Sequence, residues 1–559
     1  MGDPEENRVI LVLNGTRVPA QRDKLIKYSR YFSALFSENF KDHQQDEQPI
    51  NFSVSLNTLK DFISWTEETK EKEKKLRTHK VESCMEKFKK NRDFNAFELL
   101  DLSVVLLCDK LTNDLTSTII LHWMTNENIL HIWTIAEALG LDKLRDVALG
   151  ACLDRFEDIP IPFLLQLDLE NFMKLVGSAN IKCAKDWLRI VCRKAATHYS
   201  SSANHDPSSH LYKSLMDILK PPHNICPNCS NNGPNYVSCV VAYKSLEGKP
   251  KIPCVYWWKN SKFSELVDLQ DIARVMDHGT EVFGRQVIGR GFNIYVIGGE
   301  RGLGSGRFLK TIWRYCLLTH TWFSFAELPR ARRHMVAAFI KNKLYLAGGI
   351  GQHRLQLSSV DVLDIYSGEW STAARIPEKF AETPPYSVVD GMLIYFKTHF
   401  YSYHPATNAW VTLKINFPDD TPIIHIDSLM GYEHTPCANG ENVYVGIADP
   451  DKPMTRLFSF PVHLLSGKLT FISEQSYHFP RQIFNGSMLF SFSCTDGRVK
   501  IERGTFEDIN IYQFVGIRST VLKGIHESGF QSRFGCFNVI DPDSIHQQAS
   551  FTDHGCMRF

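Results

Sequence analysis

The apolar and polar positions near the start of the chain predict a small module of strands and helices. An apolar run at 9–13 stops at Asn14 and Gly15, a dipeptide that favours a tight hairpin turn, and a second short strand is predicted at 17–19. Apolar residues recur at helix spacing within 23–28, 29–37 and 56–65, and a third strand is predicted at 50–54. We therefore expect an α+β fold here.

From residue 94 to about 219 the apolar residues recur at positions i, i+3 and i+4, which is typical of amphipathic helices. The helices predicted on this basis cover 96–111, 115–124, 128–139, 141–156, 184–198 and 210–219. Short spacers, such as Gly140 and the proline-containing 159–162, favour helices that pack as hairpins. This region is predicted to be all-α.

A repeat of short β-runs begins after residue 236. The segment 292–299 recurs at 342–349, each copy ending in two glycines, and weaker copies lie at 391–396 and 442–446. The tyrosines of these copies are 50, 50 and 49 residues apart. Paired glycines allow a turn where a side chain would collide, and the aromatic residues supply apolar faces between units. Such units bury both faces by packing around an axis, so an all-β propeller of about six blades is predicted.

Composition narrows the functional classes. The chain of 559 residues is 43% hydrophobic and 22% charged, which indicates folded domains, and its net charge of +1 does not suggest a general nucleic-acid surface. The fourteen cysteines are mostly single residues in apolar segments, and no run of 18 apolar residues is present. We expect reduced thiols, no membrane partner, and a cytoplasmic protein, with the nucleus as the alternative.

Two polar segments interrupt the pattern. Residues 67–92 contain ten Lys or Arg and six Glu, which predicts a solvated charged insertion near 67–95, with a basic patch for a partner as the alternative. Residues 199–235 are rich in Ser, Pro, Asn and Gly, which is typical of a linker. Within it, Cys226 and Cys229 form a C-x-x-C pair; linker thiols are the preferred interpretation and a zinc site the alternative.

A period near 50 with paired glycines, Tyr and Trp resembles kelch repeats. Independently, the segment 11–22 and the sequence Tyr31-Phe32-Ser33-Ala34-Leu35-Phe36 resemble a BTB domain, and 126–156 resembles the start of a BACK domain. The order is similar to that of BTB–BACK–kelch proteins, the Kelch-like family. The domains predicted are BTB at 1–124, BACK at 125–220, a linker at 221–235 and the kelch propeller at 236–559.

The resemblance implies an adaptor that dimerises through its BTB domain, binds cullin-3 through the BTB and BACK domains, and binds a protein substrate through the propeller loops. The position of the family's hydrophobic-x-Glu cullin motif is occupied here by Phe40 and Asp42, which we expect to bind cullin-3. Asp42 is one methylene shorter than Glu. Arg8 and Gln21 replace an Asp and a His that often form a charge pair in BTB cores. A scaffold without ligase activity, associated with the cytoskeleton, is therefore the alternative.

The propeller loops supply the candidate substrate residues. Arg332, Arg333 and His334 open a repeat, and the resemblance implies that Arg332 faces the substrate pocket. Guanidinium groups there would pair with a carboxylate-bearing or phosphorylated peptide, although ordinary surface arginines are the alternative. The weaker candidates are Arg301, Arg307, His353 and Arg354 in the loops after the glycine pairs, and Tyr386 and His434 between repeats.

The sequence predicts neither catalysis nor a cofactor. Gly302, Gly304 and Gly306 outline a glycine-rich loop, but a strand rather than a helix is predicted at 311–317, which argues against a phosphate-binding loop. No G-x-S-x-G or H-E-x-x-H motif occurs. We expect no metal and no enzymatic activity, because ubiquitin transfer would be carried out by a RING partner.

Overall fold

The computed structural model describes residues 7–38, 45–68, 95–201, 209–219, 235–244, 252–259, 262–269, 282–417, 425–430, 442–449, 454–475, 481–485, 488–495, 498–506, 514–522, 536–548, 550–551 and 557–558. They fall into two compact units, Met1–Ala148 and Leu149–Phe559. The domain boundaries expected from the sequence stay predictions.

The first unit contains a three-stranded sheet of β1 (Arg8–Leu13), β2 (Thr16–Gln21) and β3 (Glu47–Pro49), in the order β2-β1-β3. Strands β1 and β2 form an antiparallel hairpin in which Leu13 pairs with Thr16. The turn residues Asn14 and Gly15 have φ of 50° and 81°, as a two-residue hairpin turn requires. The predicted hairpin is confirmed.

The third strand lies earlier than predicted. β3 runs parallel to β1 with Gln48 opposite Leu11, and the backbone N–H of Ile50 donates to Val12 at 2.9 Å. Gln48 and Ile50 are both buried. The residues whose side chains face the core are therefore the ones at 47–50 that pair with β1. The prediction of a strand at 50–54 was therefore wrong, because an alternation of apolar and polar residues does not by itself determine which residues pair with β1.

The helices of the first unit follow the predicted spacing except at 96–124. There the predicted helices 96–111 and 115–124 are replaced by helices at 96–105 and 109–118 and a π-helical turn at 119–123. The helices of this unit are α1 (Arg22–Tyr28), α2 (Arg30–Leu35), α3 (Leu56–Glu68), α4 (Ala96–Val105), α5 (Asp109–Thr118), a π-helical turn (Ile119–Trp123) and α6 (Ile129–Ala138). The single helix predicted at 96–111 is broken at Leu107, whose φ is 50°. Leu106, Cys108 and Leu111 are buried on both sides of the break, so the apolar periodicity continues across it.

Helix α7 (Asp142–Asp154) contains the boundary between the units. The helices that follow in the second unit are a 3-10 turn (Phe156–Asp158), α8 (Ile161–Leu164), α9 (Leu169–Val176), α10 (Lys185–Ser201) and α11 (His210–Leu219). The prediction of a helical region before the β-repeats is confirmed.

The rest of the second unit is built of antiparallel strands. They are β4 (Tyr236–Lys244), β5 (Ile252–Lys259), β6 (Lys262–Asp268), β7 (Val282–Phe283), β8 (Gln286–Arg290), β9 (Asn293–Ile297), β10 (Glu300–Arg301), β11 (Thr311–Cys316), β12 (Thr321–Glu327), β13 (Val336–Ile340), β14 (Lys343–Ala347), β15 (Val360–Asp364), β16 (Trp370–Ala373), β17 (Tyr386–Val389), β18 (Met392–Phe396), β19 (Phe400–His404), β20 (Ala409–Asn416), β21 (His425–Met430), β22 (Asn442–Asp449), β23 (Met454–Pro461), β24 (Ser466–Lys468), β25 (Thr470–Gln475), β26 (Arg481–Asn485), β27 (Met488–Thr495), β28 (Arg498–Phe506), β29 (Phe514–Leu522), β30 (Cys536–Ile540), β31 (Ser550–Phe551) and β32 (Met557–Arg558).

Within the described residues, these strands make six sheets with four antiparallel strands each. The orders are β30-β4-β5-β6, β8-β9-β11-β12, β13-β14-β15-β16, β17-β18-β19-β20, β21-β22-β23-β25 and β26-β27-β28-β29; β24 adds a parallel edge strand to the fourth sheet. The four repeat copies found in the sequence are β9, β14, β18 and β22, each the second strand of its sheet.

The six sheets close into a ring. The inner strands β8, β13, β17, β21, β26 and β30 each contact the next, and β30 contacts β8. β30 pairs with β4 across almost 300 residues, with Val539 opposite Val237, so strands from both ends of the repeat region complete one sheet. A closed ring of four-stranded sheets is a β-propeller. A fold of this class was predicted, with about six blades.

The blades pack through the apolar faces that the repeat pattern predicted. Tyr345, Tyr395, Tyr401 and Tyr403 belong to one buried cluster between the third and fourth sheets, and Trp410 packs against it. The paired glycines have a steric role, because a Cβ on Gly298 would lie 2.6 Å from the carbonyl oxygen of Arg332. These contacts make the propeller a rigid frame for its loops.

Candidate binding face of the propeller

Three connecting segments emerge at one end of the second and third sheets. Residues 298–310 follow β9, residues 328–335 join β12 to β13, and residues 348–359 follow β14. β9 and β12 both run antiparallel to β11, so their ends lie on the same side; β14 runs antiparallel to β13, which places its end beside the start of β13. We call these three segments the basic loop face.

Glu300 fastens two of these segments together. One carboxylate oxygen accepts a hydrogen bond from the backbone N–H of Gly306 at 2.7 Å, and the other lies 3.2 Å from Nε of Arg333. The backbone of Arg333 in turn exchanges two hydrogen bonds with Ile350, at 2.9 and 2.8 Å. Because Glu300 is buried, this arrangement holds the three segments as one surface.

Arg332 lies inside the blade rather than on the surface. Its side chain has 0% exposure and pairs with the carboxylate of Asp361, which is 2% exposed. Its Nη1 also donates to the carbonyl oxygens of Leu346, Gly348 and Ser359. Burial is the largest influence on this guanidinium and lowers its pKa. The placement argues against the predicted substrate contact and indicates that Arg332 links neighbouring strands of the third sheet.

The neighbouring candidates are also largely enclosed. Arg333 and His334 are buried; the backbone N–H of His334 donates to Gly284 at 2.7 Å. Tyr386 is half-buried, and its hydroxyl donates to the carbonyl oxygen of Ala337 at 2.9 Å, which joins the fourth sheet to the third. Substrate contact by these three residues stays a prediction.

The weaker candidates occupy the more accessible positions. Arg301 is half-buried, whereas Arg307, His353 and Arg354 are exposed. The guanidinium of Arg354 lies against Gly304, since a Cβ at Gly304 would be 2.9 Å from Nη2. The structure therefore brings the loops after the two glycine pairs together on the basic loop face.

Two leucines on this face were not among the residues predicted from the sequence. Leu303 and Leu355 are each 62% exposed. Each lies a few residues beyond a glycine pair, among Gly, Ser, Arg or Gln, and neither belongs to an apolar period. That isolation was the available signal, because a leucine outside any strand or helix pattern has no predicted core to enter.

The charge of the face is one-sided. The three segments contain seven Lys or Arg residues and one acidic residue, Glu300, whose two oxygens are engaged. Arg332 and Arg333 are buried against carboxylates, so the other five supply the charge of the surface. The chain as a whole carries a net charge of only +1. The basic loop face is thus a local positive surface with two apolar side chains on it.

A second polar cluster lies at the opposite end of the strands from the basic loop face, at the turn from β8 to β9. Asp154, at the end of α7, accepts hydrogen bonds from Arg290 at 2.6 Å and from the Tyr366 hydroxyl at 2.5 Å, and Lys182 lies 3.6 Å away. Burial would raise the pKa of Asp154, but Arg290, Lys182 and the Tyr366 hydrogen bond outweigh it and lower the pKa to about 2. This cluster ties the end of α7 to the propeller within the second unit.

Several predicted sites lie outside the described residues. They are Phe40 and Asp42, Cys226 and Cys229, His434, and all but the ends of the charged insertion at 67–95. Arg8 and Gln21 are described, and they face each other as the last pair of the β1–β2 hairpin.

In the described part of the chain, no group of three or more His, Cys, Asp or Glu side chains is arranged to hold a metal ion. Nor is any helix there long and apolar enough to cross a membrane.

Comparison with known proteins gives the repeats their family. The Kelch motif matches residues 293–329 and 331–376, which contain the strands of the second and third sheets except β8. The chain carries Kelch repeats. The basic loop face is therefore formed by the two blades that the Kelch motif matches.

Two known proteins are similar to part of the chain. A stretch of 123 residues is 27% identical to Kelch-like protein 35 of Mus musculus and covers 21% of this chain and 20% of that protein. A stretch of 233 residues is 22% identical to an F-box/kelch-repeat protein of Arabidopsis thaliana and covers 33% of this chain and 48% of that protein. The chain thus spans about a fifth of the first relative and about half of the second.

Proposed function

We propose that this protein is a substrate adaptor of a cullin-3 ubiquitin ligase, with a BTB-like first unit that dimerises and a kelch propeller that binds the substrate. The Kelch repeats indicate a protein-binding propeller, and the similarity to a Kelch-like protein supports the adaptor role. The observation that carries the proposal is the basic loop face, an exposed surface on a closed and tightly packed frame.

The first unit supports the other half of the proposal. A strand–turn–strand hairpin leads into α1 and α2, and Ser29 caps α2 by accepting a hydrogen bond from the backbone N–H of Phe32 at 3.2 Å. Phe32 is fully buried against Phe62 of α3. The BTB-like segment that contains Tyr31 and Phe32 is therefore part of a packed core.

In this proposal the protein performs no chemistry itself. The first unit, with the helices 149–219, would hold cullin-3, and the propeller would hold the substrate so that its lysines meet the ubiquitin-charged enzyme at high local concentration. We also propose that the protein is cytoplasmic, because cullin ligases act in the cytoplasm. They act in the nucleus as well, which is the alternative location.

Co-purification of the tagged full chain tests the adaptor role. We expect cullin-3 in the precipitate of the natural chain and its loss with Phe40→Ala, which removes the proposed apolar anchor. Leu465→Ala is the matched control, because it removes an apolar side chain that is 60% exposed beside β24, outside the parts proposed to hold cullin-3. Absence of cullin-3 from the natural chain's precipitate, or equal loss with both variants, would contradict the proposal.

The pairing of Arg8 with Gln21 favours a second candidate, a scaffold without ligase activity that associates with the cytoskeleton. Neither residue is acidic, so the charge pair that the BTB resemblance implies is absent from this hairpin. The scaffold predicts co-sedimentation with actin filaments that Asp42→Ala does not change. Lack of filament binding by the full chain would exclude it.

A further inference from the structure

We propose that the basic loop face binds acidic protein segments that carry leucine-sized apolar side chains, with Leu303 and Leu355 as the apolar contacts and Arg307 and Arg354 as the ionic ones. The inference rests on the proposed protein-binding function of the propeller and names the chemistry of its partner. Three features of the face support it.

The two most exposed large apolar side chains among the described residues lie on this face. Leu303 and Leu355 belong to different blades, yet their loops meet where the Arg354 guanidinium lies against Gly304. Two leucines that are 62% exposed on adjoining loops present apolar area that a partner would cover. An apolar side chain of the partner is the group that gains most from that contact.

The ionic part of the face determines which sign of charge the partner should carry. Arg307 and Arg354 are exposed, and the three loop segments contain no acidic residue besides Glu300. Glu300 already bonds Gly306 and Arg333, so it does not compete for an incoming carboxylate. Guanidinium groups bind carboxylates by paired hydrogen bonds, which favours an Asp- or Glu-rich segment.

The loops are formed before any partner arrives. Arg301 N–H donates to the carbonyl oxygen of Arg307 at 2.9 Å, and Gly351 N–H donates to that of Leu355 at 2.9 Å. His353 and Arg354 both have positive φ, at 56° and 59°, which the surrounding hydrogen bonds maintain. A surface that is ordered in advance loses little conformational entropy on binding.

The same features argue for a protein segment over a nucleic acid. Surfaces for single-stranded nucleic acids use exposed aromatic side chains on which bases stack. Here the strongly exposed apolar side chains are leucines, and the net charge of the chain is +1. The loops that carry these basic residues also present two exposed leucines, which suit a partner with apolar side chains.

Fluorescence anisotropy with the full chain tests the inference. The probes are three labelled twelve-residue peptides and one twelve-nucleotide single-stranded DNA: a repeat of Asp-Glu-Leu, the same peptide with Ser for Leu, and the same peptide with Lys for Asp and Glu. We expect the acidic leucine peptide to bind, the serine version to bind about tenfold more weakly, and the lysine version not to bind.

Variants connect the binding to the face. Arg307→Glu with Arg354→Glu, and separately Leu303→Ser with Leu355→Ser, should each weaken binding of the acidic leucine peptide at least about tenfold. The matched controls are Lys343→Glu, exposed at the opposite end of β14, and Leu465→Ser, 60% exposed beside β24. Neither control should change the affinity by more than about twofold.

Four results would overturn the inference: no binding of the acidic leucine peptide, equal binding of the serine peptide, DNA binding at least as tight as peptide binding, or equal effects of the face and control variants. Recovery of partner proteins by the full chain separates this failure from failure of the proposed function. If partners are recovered equally by the natural chain and both face variants, the adaptor role stands and this face is not its binding site.

Discussion

The guanidinium groups of Arg332 and Arg290 are buried against carboxylates, whereas those of Arg307 and Arg354 are exposed on the basic loop face. All four belong to the second and third blades. The first pair links parts of the fold: Asp361 neutralises Arg332 inside the blade, and Asp154 neutralises Arg290 where the two side chains are only 22% and 11% exposed. The second pair lies in loops without an available acid. Position relative to a carboxylate, and not the residue type, separates the structural arginines from those that we propose for binding.

The largest effect that this comparison predicts is on stability at the buried pair. Asp361→Asn keeps the shape of the side chain but leaves Arg332 charged and unpaired in the blade. Breaking such a pair costs roughly 3–5 kcal/mol of unfolding free energy. Urea unfolding followed by tryptophan fluorescence measures it, since Trp322 and Trp410 report on neighbouring blades.

Two further variants sharpen that measurement. Glu369→Ala, exposed on the same sheet, should change the unfolding free energy by no more than about 0.5 kcal/mol. Replacing both Arg332 and Asp361 by leucine should destabilise less than Asp361→Asn, because no charge is then left unpaired. A loss below about 1 kcal/mol for Asp361→Asn would show that Arg332 is not held as the structure indicates.

A smaller effect is expected where α7 meets the propeller. Asp154→Asn removes the charge that faces Arg290, Lys182 and Arg155 and that accepts the Tyr366 hydroxyl. The Asp154 carboxylate is 22% exposed, so we expect a loss of about 2–3 kcal/mol at pH 7. Tyr366→Phe in the Asp154→Asn background should cost less than it does alone, because the two groups share one hydrogen bond.

The acid dependence of that loss has a definite sign. The pKa of Asp154 is lowered from 3.8 to about 2, so its contribution is complete above about pH 4 and disappears as the pH falls towards 2. The stability difference between the natural chain and Asp154→Asn should therefore narrow over that interval. Thermal unfolding between pH 2 and pH 7 measures it; a constant difference would contradict the assigned role of the charge.

The architecture was predictable where the signal is local. The glycine pairs, tyrosines and tryptophans that repeat about every 50 residues occupy equivalent strands, because each blade buries the same faces. The register in which β30 pairs with β4 was not predictable, since the two strands lie about 300 residues apart in the sequence. The break in the helix at Leu107 was not predictable either, because residues on both sides of it are buried and the apolar pattern continues across it.

The candidate site was predictable only in part. The basic segments were found from the sequence, but the order of the arginines within them was reversed: Arg332 is enclosed and Arg354 is exposed. The partner that encloses Arg332 is Asp361, 29 residues along the chain, and no local pattern links the two. Leu303 and Leu355 were missed because an apolar residue in a loop resembles ordinary variation until its exposure is known.

The smallest expected effect on stability is at the exposed arginines. Arg307→Glu with Arg354→Glu should leave the unfolding free energy within about 0.5 kcal/mol of the natural chain, because exposed side chains of this kind contribute little to the fold. The same variant is expected to lose binding of the acidic leucine peptide at least about tenfold. Urea unfolding and anisotropy on one preparation measure both quantities. A loss of unfolding free energy as large as that of Asp361→Asn would mean that these arginines also hold the loops together. The distinction between exposed and buried arginines would then be wrong.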